Sequence, residues 1–396
     1  MTKITASLFD DAPDRRKSGS YKWDSCPDRE LIPLWVADMD FRTAPCVVDA
    51  LQQRVSHGVF GYTLVDDDYY RALTNWFEQR HGGYHIDRER VIYTSGVVPA
   101  ISAIIKALAK PGEGVIVQTP VYNCFFSSIR NNGCRIVESP LKRVDLSPTE
   151  FTYKMDFDDL RRKAAAPNNT VLLLCNPHNP AGRIWSREEL VEVATICGEY
   201  GVRVISDEIH CELTMPRRSY TPYGLVDPTG VVCVSPSKAF NTAGLQIANI
   251  VCPDEEVRSK VDRAININEV CDVNPFGVVA LKAAYSEAGA EWLDALRGYL
   301  FENYEATRRF LTEQLPGCPI ATLEATYLPW VDVRRFGIPT EQLEEQLKDV
   351  AKVWVNCGEM YGAEGYLRLN IACPRERLME GLRRIVEFLN DKDGRN

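Results

Sequence analysis

The chain has 396 residues, 45% of them hydrophobic and 26% charged, a globular composition long enough for two or three domains and a core able to bury a small molecule. Its 46 basic and 55 acidic residues leave a net charge of −9, and no basic block or aromatic–basic interleaving occurs, which argues against a nucleic-acid partner. No run approaches the ~20 apolar residues that span a bilayer, the first residues are not expected to act as a signal peptide, and 13 cysteines without a C-x-x-C pair read as reduced cytosolic thiols rather than disulfides or a metal site.

Residues 1 to about 42, rich in Pro, Asp and aromatics, read as an extended arm. Thr43-Ala44-Pro45 opens a predicted helix with Val48, Leu51 and Val55 on one face and Gly58 as its stop. After the loop Phe60-Gly61-Tyr62-Thr63, Asp66-Asp67-Asp68 starts a second helix that turns Leu73, Trp76 and Phe77 inward and ends at Gly82-Gly83. From about 91 strand and helix alternate. Val91-Ile92-Tyr93 precedes a helix carrying Ile101, Ile104, Ile105 and Leu108, stopped by Pro111-Gly112. Strand-like runs follow at 115–117, 135–137, 171–174, 202–205, 231–234 and 247–251, with a clear helix at 186–200. This alternation predicts an α/β fold with a mainly parallel sheet covered on both faces.

Past 285 the pattern changes. A long amphipathic helix is predicted over 291–314, a strand over 327–333, a helix from 340 to about 350, strands at 353–355 and 366–371, and a final helix over 375–389. We expect a small α+β domain here. The division is an arm, 1–42, joining the small domain; a large domain, 43–285; and the small domain, 286–396.

Chemistry concentrates where predicted strands end. Val231-Val232-Cys233-Val234 runs into Ser235-Pro236-Ser237-Lys238, and Val202-Arg203-Val204-Ile205 into Ser206-Asp207-Glu208-Ile209-His210. Open α/β sheets bind ligands at the carboxyl ends of their strands. A lysine amine there can form a Schiff base with a carbonyl, and a carboxylate one strand away can hold a pyridinium nitrogen. Together they suggest pyridoxal 5′-phosphate (PLP). Ser95-Gly96-Val97-Val98, between a strand and a helix, offers backbone N–H groups for a phosphate, and Ser235 and Ser237 could add hydroxyls. Tyr122, in Thr119-Pro120-Val121-Tyr122, could stack on the ring. In Asn176-Pro177-His178-Asn179-Pro180-Ala181-Gly182-Arg183 an Asn amide could donate to the ring's 3′-oxygen. Arg368, in an otherwise apolar strand, offers a bidentate fork for a substrate carboxylate.

In this order the strings resemble fold-type I PLP enzymes of the class I/II aminotransferase superfamily, over nearly the whole chain. Within it, Trp35-Val36-Ala37-Asp38-Met39-Asp40-Phe41, Gly61-Tyr62-Thr63, Gly96-Val97-Val98-Pro99-Ala100, Asp207-Glu208-Ile209-His210 and Phe240-Asn241-Thr242-Ala243-Gly244-Leu245-Gln246 resemble the MalY/PatB group of carbon–sulfur β-lyases. The resemblance implies a large domain with a seven-stranded sheet and a small α+β domain. It implies Lys238 as the Schiff-base lysine, Asp207 at N1, Asn179 at the 3′-oxygen, and Tyr122 on the ring. Gly96, Val97, Val98, Ser235 and Ser237 would stand at the phosphate and His210 beside the cofactor. Arg368 and Asn179 would meet the substrate, and the Ala37–Asp38 backbone would line its pocket. Tyr62 would reach the phosphate of a second subunit, so a homodimer with shared sites is implied. Two positions depart from the broader aminotransferase pattern: Gln246 stands where many members have an arginine, and His210 where many have a tyrosine.

The reaction expected is β-elimination of L-cystathionine or another cysteine S-conjugate to a thiol, pyruvate and ammonia. An aminotransferase, and a PLP-binding regulator acting on a protein partner, are the alternatives.

Overall fold

Apolar β-branched runs, bounded by Gly and Pro, form strands buried on both faces, and these make the centre of the molecule. The computed structural model describes residues 7–269 and 272–394. The first six residues of the expected arm, where the reading of the N-terminus begins, and the last two of the chain lie outside the described residues.

In chain order the strands are β1 (Ile32–Pro33), β2 (Val91–Thr94), β3 (Gly114–Val117), β4 (Arg135–Glu138), β5 (Lys142–Asp145), β6 (Glu150–Lys154), β7 (Asn169–Cys175) and β8 (Arg203–Asp207). Then come β9 (Val231–Val234), β10 (Ala248–Val251), β11 (Ile320–Ala321), β12 (Trp330–Asp332), β13 (Val353–Trp354), β14 (Asn356–Cys357) and β15 (Tyr366–Arg368). The central sheet has seven strands in the order β2-β10-β9-β8-β7-β3-β4. All its pairings are parallel except those of β10, which runs antiparallel to β2 and β9. The expected mainly parallel α/β sheet is present, and each of its strands was foreseen as a run.

Alternation along each strand feeds two separate cores. On β7, Leu172 and Leu174 face one core and Val171, Leu173 and Cys175 the other. The helix Val97–Leu108 covers the second face with Val97, Ile101, Ile104 and Ile105. The helix Arg187–Tyr200 covers the first with Leu190, Val193 and Ile196. Ser186 caps that helix reciprocally with Glu189, and Gly201 ends it in the left-handed conformation.

A second sheet has the order β14-β15-β12-β11-β6-β5, antiparallel except between β11 and β6. It joins strands of the C-terminal segment to the hairpin β5–β6, which lies between two strands of the central sheet in sequence. The arm adds a parallel pairing of β1 with β13.

Several expectations change in detail. The arm is not wholly extended, since it contains helical turns at Ser7–Asp10 and Tyr21–Asp24. The first predicted helix forms over Pro45–His57 with Gly58 at its end, but Val47 is its buried residue and Val55 is 56% exposed. The long helix begins earlier, at Glu287, because Ser286 caps it through Gly289 N. The strand expected over 327–333 pairs only at Trp330–Asp332, and the last helix extends to Asp393. Among the described residues no helix is long and apolar enough to cross a membrane.

Candidate active site

The carboxyl ends of β2, β9, β8, β7 and β3, with the segment entering β10, converge on one cleft. It encloses about 780 Å³ of empty space, part of it open to solvent. Ser95–Pro99 reach it from the β2–helix junction, Tyr122 from beyond β3, and Cys175 and Asn179 from the end of β7. Asp207, Ile209 and His210 come from the end of β8, Ser237 and Lys238 from beyond β9, and Ala243, Gln246 and Ile247 from just before β10. The arm contributes Ala37. The crevice thus lies where open α/β sheets place ligands.

Lys238 and Asp207 face this space together. Lys238 Nζ donates to the Ala37 carbonyl at 2.6 Å. Burial, and then the Arg368 charge, lower its pKa to about 8, against Asp38 and Asp207, which raise it. The amine is therefore far easier to obtain neutral than a surface lysine. Asp207 is almost wholly buried, and its Oδ1 accepts the Ile209 N–H at 3.1 Å. Burial pushes its pKa up to about 7, although that hydrogen bond and the Lys238 charge pull the other way. His210 is also buried. Burial first, then the charges of Lys238 and Arg368, lower it to about 3, so its ring is neutral. Its Nδ1 has no hydrogen-bond partner.

Arg368 and Asn179 form the next layer. Arg368 is 3% exposed; its Nη1 donates to Asn179 Oδ1 (3.3 Å) and its Nη2 to the Trp35 carbonyl (3.0 Å), and its guanidinium lies 4.7 Å from the Tyr361 ring centre. Its Nε has no partner, and no carboxylate pairs with it among the described residues. Such a buried cation is costly unless an anion joins it. A guanidinium can only donate, so it fixes the orientation of the amide. Asn179 turns its oxygen to Arg368 and is left with an NH₂ group to offer the cleft. Arg368 itself stands behind Asn179 rather than in the cleft wall.

At the other end, Gly96 caps the helix Val97–Leu108, whose first backbone N–H groups have no intrahelical acceptor. A Cβ at Gly96 would meet only Pro99 Cδ, at 3.5 Å, so nothing in the protein itself requires glycine there. Ser237 and Gln246 face the same cleft. Among the described residues of the cleft wall, Lys238 is the one lysine or arginine.

Three of the expected site residues stand outside this chain's cleft wall. Ser235 does not reach the cleft: its hydroxyl donates to Ile247 O (2.6 Å) and accepts from Ser237 N (3.1 Å), so it braces the lysine loop. Of the Ala37–Asp38 pair, Ala37 lines the cleft, while the Asp38 carboxylate is held by Arg15, Nη1 at 3.0 Å and Nη2 at 2.6 Å. Tyr62, expected at the phosphate of a second subunit, is 95% exposed and is not among the residues lining its own chain's cleft. Conversely, Cys175 was not foreseen as a wall residue. It stands opposite Asp207 in the β7–β8 register, a signal available once the two strands are paired. Glu208 was also unremarked. It is buried beside Asp207 and accepts from Ser206 Oγ (2.8 Å), Tyr223 N (2.8 Å), Asn176 Nδ2 (3.3 Å) and the Tyr220 hydroxyl. It therefore ties β8 to the Asn176–Gly182 loop.

The arrangement offers an easily neutralised amine, a buried acid awaiting a cationic partner, an unspent amide donor and a helix terminus for an anion. Comparison with known proteins agrees. The family model for aminotransferase class I and II matches residues 29–385. The chain is 38% identical to cystathionine beta-lyase PatB of Bacillus subtilis (strain 168), over 96% of this chain and 100% of that one. It is 33% identical to protein MalY of Escherichia coli (strain K12), over 96% and 98%. Cystalysin from Treponema denticola, solved with a pyridoxal 5′-phosphate cofactor, superposes with a TM-score of 0.91 at 31% identity, covering 97% of this chain and 98% of that one.

Proposed function

The chain belongs to the aminotransferase class I and II family, and we propose that it is a PLP-dependent carbon–sulfur β-lyase acting on L-cystathionine or another cysteine S-conjugate. The observation that carries the reading is the meeting of Lys238, Asp207 and Asn179 in one cleft, in a chain whose relatives over its full length include a cystathionine beta-lyase.

The residues fit the cofactor. Asp207 has a buried carboxylate with a single backbone donor, suited to a ring N–H. The free amide nitrogen of Asn179 suits the 3′-oxygen, and Tyr122 suits a ring face. The amides of Gly96, Val97 and Val98 with the Ser237 hydroxyl suit the phosphate, whose charge meets the helix end because position 246 is glutamine. His210, neutral, packs beside this group without adding charge. Bound PLP supplies an electron sink for the pair released when Cα loses its proton.

The chain's own groups do the rest. The Arg368 guanidinium, just behind Asn179, is the cation suited to the substrate α-carboxylate and would orient the Cα–H toward Lys238. The Lys238 amine, neutral, would take the Cα proton as the base. Asp207 keeps its proton partner at the ring nitrogen through this step. The pair from Cα–H becomes the Cα–Cβ double bond as the Cβ–S pair leaves with sulfur. The thiolate is protonated, and the 2-aminoacrylate formed takes up water to give pyruvate and ammonia.

We read residues 1–42 as an arm, 43–285 as the large domain and 286–396 as the small one, and the working form as a homodimer in the cytoplasm. Tyr62, Leu64 and Phe60 stand exposed on the 58–65 segment, apolar surface suited to a second copy. The 12 described cysteines are all free, as a reducing compartment would leave them.

The test is purified protein with L-cystathionine and no added keto acid. Steady pyruvate release supports the lyase. Turnover only when a keto acid is supplied identifies an aminotransferase instead.

A further inference from the structure

Along Trp35–Phe41, the segment that carries Ala37 into the cleft, almost every carbonyl is held by a side chain. Trp35 O accepts from Arg368 Nη2 and Asn356 Nδ2, each at 3.0 Å. Asn370 Nδ2 donates to Val36 O (2.5 Å) and Asp38 O (2.6 Å). Met39 O accepts from Arg15 Nη1 and Asn241 Nδ2, each at 2.9 Å. Asn241 Nδ2 also donates to Phe41 O (2.9 Å), and its Oδ1 accepts Met39 N–H (3.0 Å). Asn241 is a non-glycine residue with φ of 54°, on the same loop as Lys238. The loop that carries the amine thus grips the segment that carries its acceptor. In the middle, Ala37 O accepts two donors, Lys238 Nζ at 2.6 Å and the buried Tyr327 hydroxyl at 3.0 Å.

We propose that the Ala37 carbonyl is a built seat for the free amine of Lys238, with Tyr327 and Asn241 as the positioning residues that set its place and its strength. The proposal rests on Lys238 being the cofactor-bearing lysine. In each catalytic cycle that amine is released and must return, and a seat 2.6 Å away keeps it from wandering into the cleft. An N–H given to Ala37 O also fixes where the lone pair points. A carbonyl holds an ammonium more strongly than an amine. Tyr327, donating to the same oxygen, uses part of its acceptor capacity and so weakens the preference for the charged form. Arg368 and burial act in the same direction as Tyr327. Asp38 and Asp207 oppose them, and the Cys124 thiol also acts to raise the pKa. The neutral His210 ring and the un-ionised Tyr327 add no charge.

The two positioning residues therefore have opposite signatures. Tyr327→Phe leaves the seat but frees its acceptor, so the amine becomes more basic. Asn241→Gly keeps the left-handed turn but releases the segment, so the amine loses its acceptor and becomes less basic. The readout is the rate at which apoprotein gains visible absorbance on adding PLP, followed across pH, since only the neutral amine reacts. The acid limb of kcat/KM in the loaded enzyme is the second readout. For Tyr327→Phe we expect the midpoint to rise by roughly half to one pH unit, a fall in rate at neutral pH of about fivefold, as loss of one hydrogen bond implies. For Asn241→Gly we expect it to fall. Midpoints that stay put, or move in the same direction, overturn the proposal, and if one variant does not fold the sign of the other decides. Wild-type protein that takes up no PLP, or Lys238→Ala that reacts as wild type does, would refute the assignment of Lys238 instead.

Discussion

Asp207 illustrates how a functional residue can stand against stability. Burial penalises the charged form and pushes its carboxyl up to about 7, whereas an unfolded chain releases that proton near the ordinary 3.9. Between those values the native state binds more protons than the unfolded one, so this group's contribution to stability falls as pH rises through that window and stays low above it. Asp207→Asn removes the penalty. We expect the apoprotein of that variant to melt above wild type at pH 8, by a margin that shrinks toward pH 5, while PLP binding weakens and activity is largely lost. Thermal scans at the two pH values check this, and equal melting at pH 8 would show that the carboxyl is not strained. Arg368 makes a complementary case. Arg368→Lys keeps the charge but cannot reach Asn179 and Trp35 together while also presenting a fork, so we expect kcat/KM to fall about tenfold or more. Steady-state kinetics with a cysteine S-conjugate read it, and a variant within twofold of wild type would place the substrate carboxylate elsewhere.

Elements differ in how plainly the sequence declares them, and burial explains the difference. The central strands were legible because a parallel sheet buried on both faces needs unbroken apolar runs, as in Val171–Cys175 and Val231–Val234. The hairpin β5–β6 was not, because Lys142-Arg143-Val144-Asp145 exposes its ends and reads as polar loop. The site followed the same division. Strand ends placed Lys238 and Asp207, but nothing local said which hydroxyl of Ser235 and Ser237 faces the cleft, and Ser235 turned inward to Ile247 O. The Asn176–Gly182 loop is the element whose shape matters most to the site. Gly182 has φ of 69°, its carbonyl accepts from Glu324 N and Ala325 N, and a Cβ there would meet Leu323 Cδ1 at 2.7 Å. Gly182→Ala should cost at least about 1 kcal/mol from its left-handed backbone alone. The displaced loop should carry Asn179 with it and lower PLP affinity. Denaturant unfolding and PLP titration measure the two effects, and a variant unchanged in both would mean that the loop is not held by this contact.

At the scale of the whole molecule, the cleft of one chain gathers Lys238, Asp207, Asn179 and Tyr122 but not Tyr62. That ring is 95% exposed, Leu64 beside it is 85% exposed, and Phe60, 54% exposed, touches Phe276 at a tilt and lies under Arg54. Helix Pro45–His57, just before, leaves Val55 exposed as well. The proposed homodimer would account for both exposures, since a monomer rarely carries an apolar patch turned outward without use. In a closed two-fold pair each Tyr62 would serve the other subunit's phosphate. A sharp consequence follows for mixtures. Tyr62→Ala impairs the neighbouring site, and Lys238→Ala destroys its own. A hybrid of the two has one site lacking both groups and one with the Lys238 of the first chain and the Tyr62 of the second, which is whole. Random reassortment makes half the dimers hybrid with one good site each, so we expect about a quarter of wild-type activity from two nearly inactive stocks. Subunit exchange followed by pyruvate assay measures it. No gain on mixing, in dimers shown by mass to have exchanged, would mean that Tyr62 serves no site across the interface.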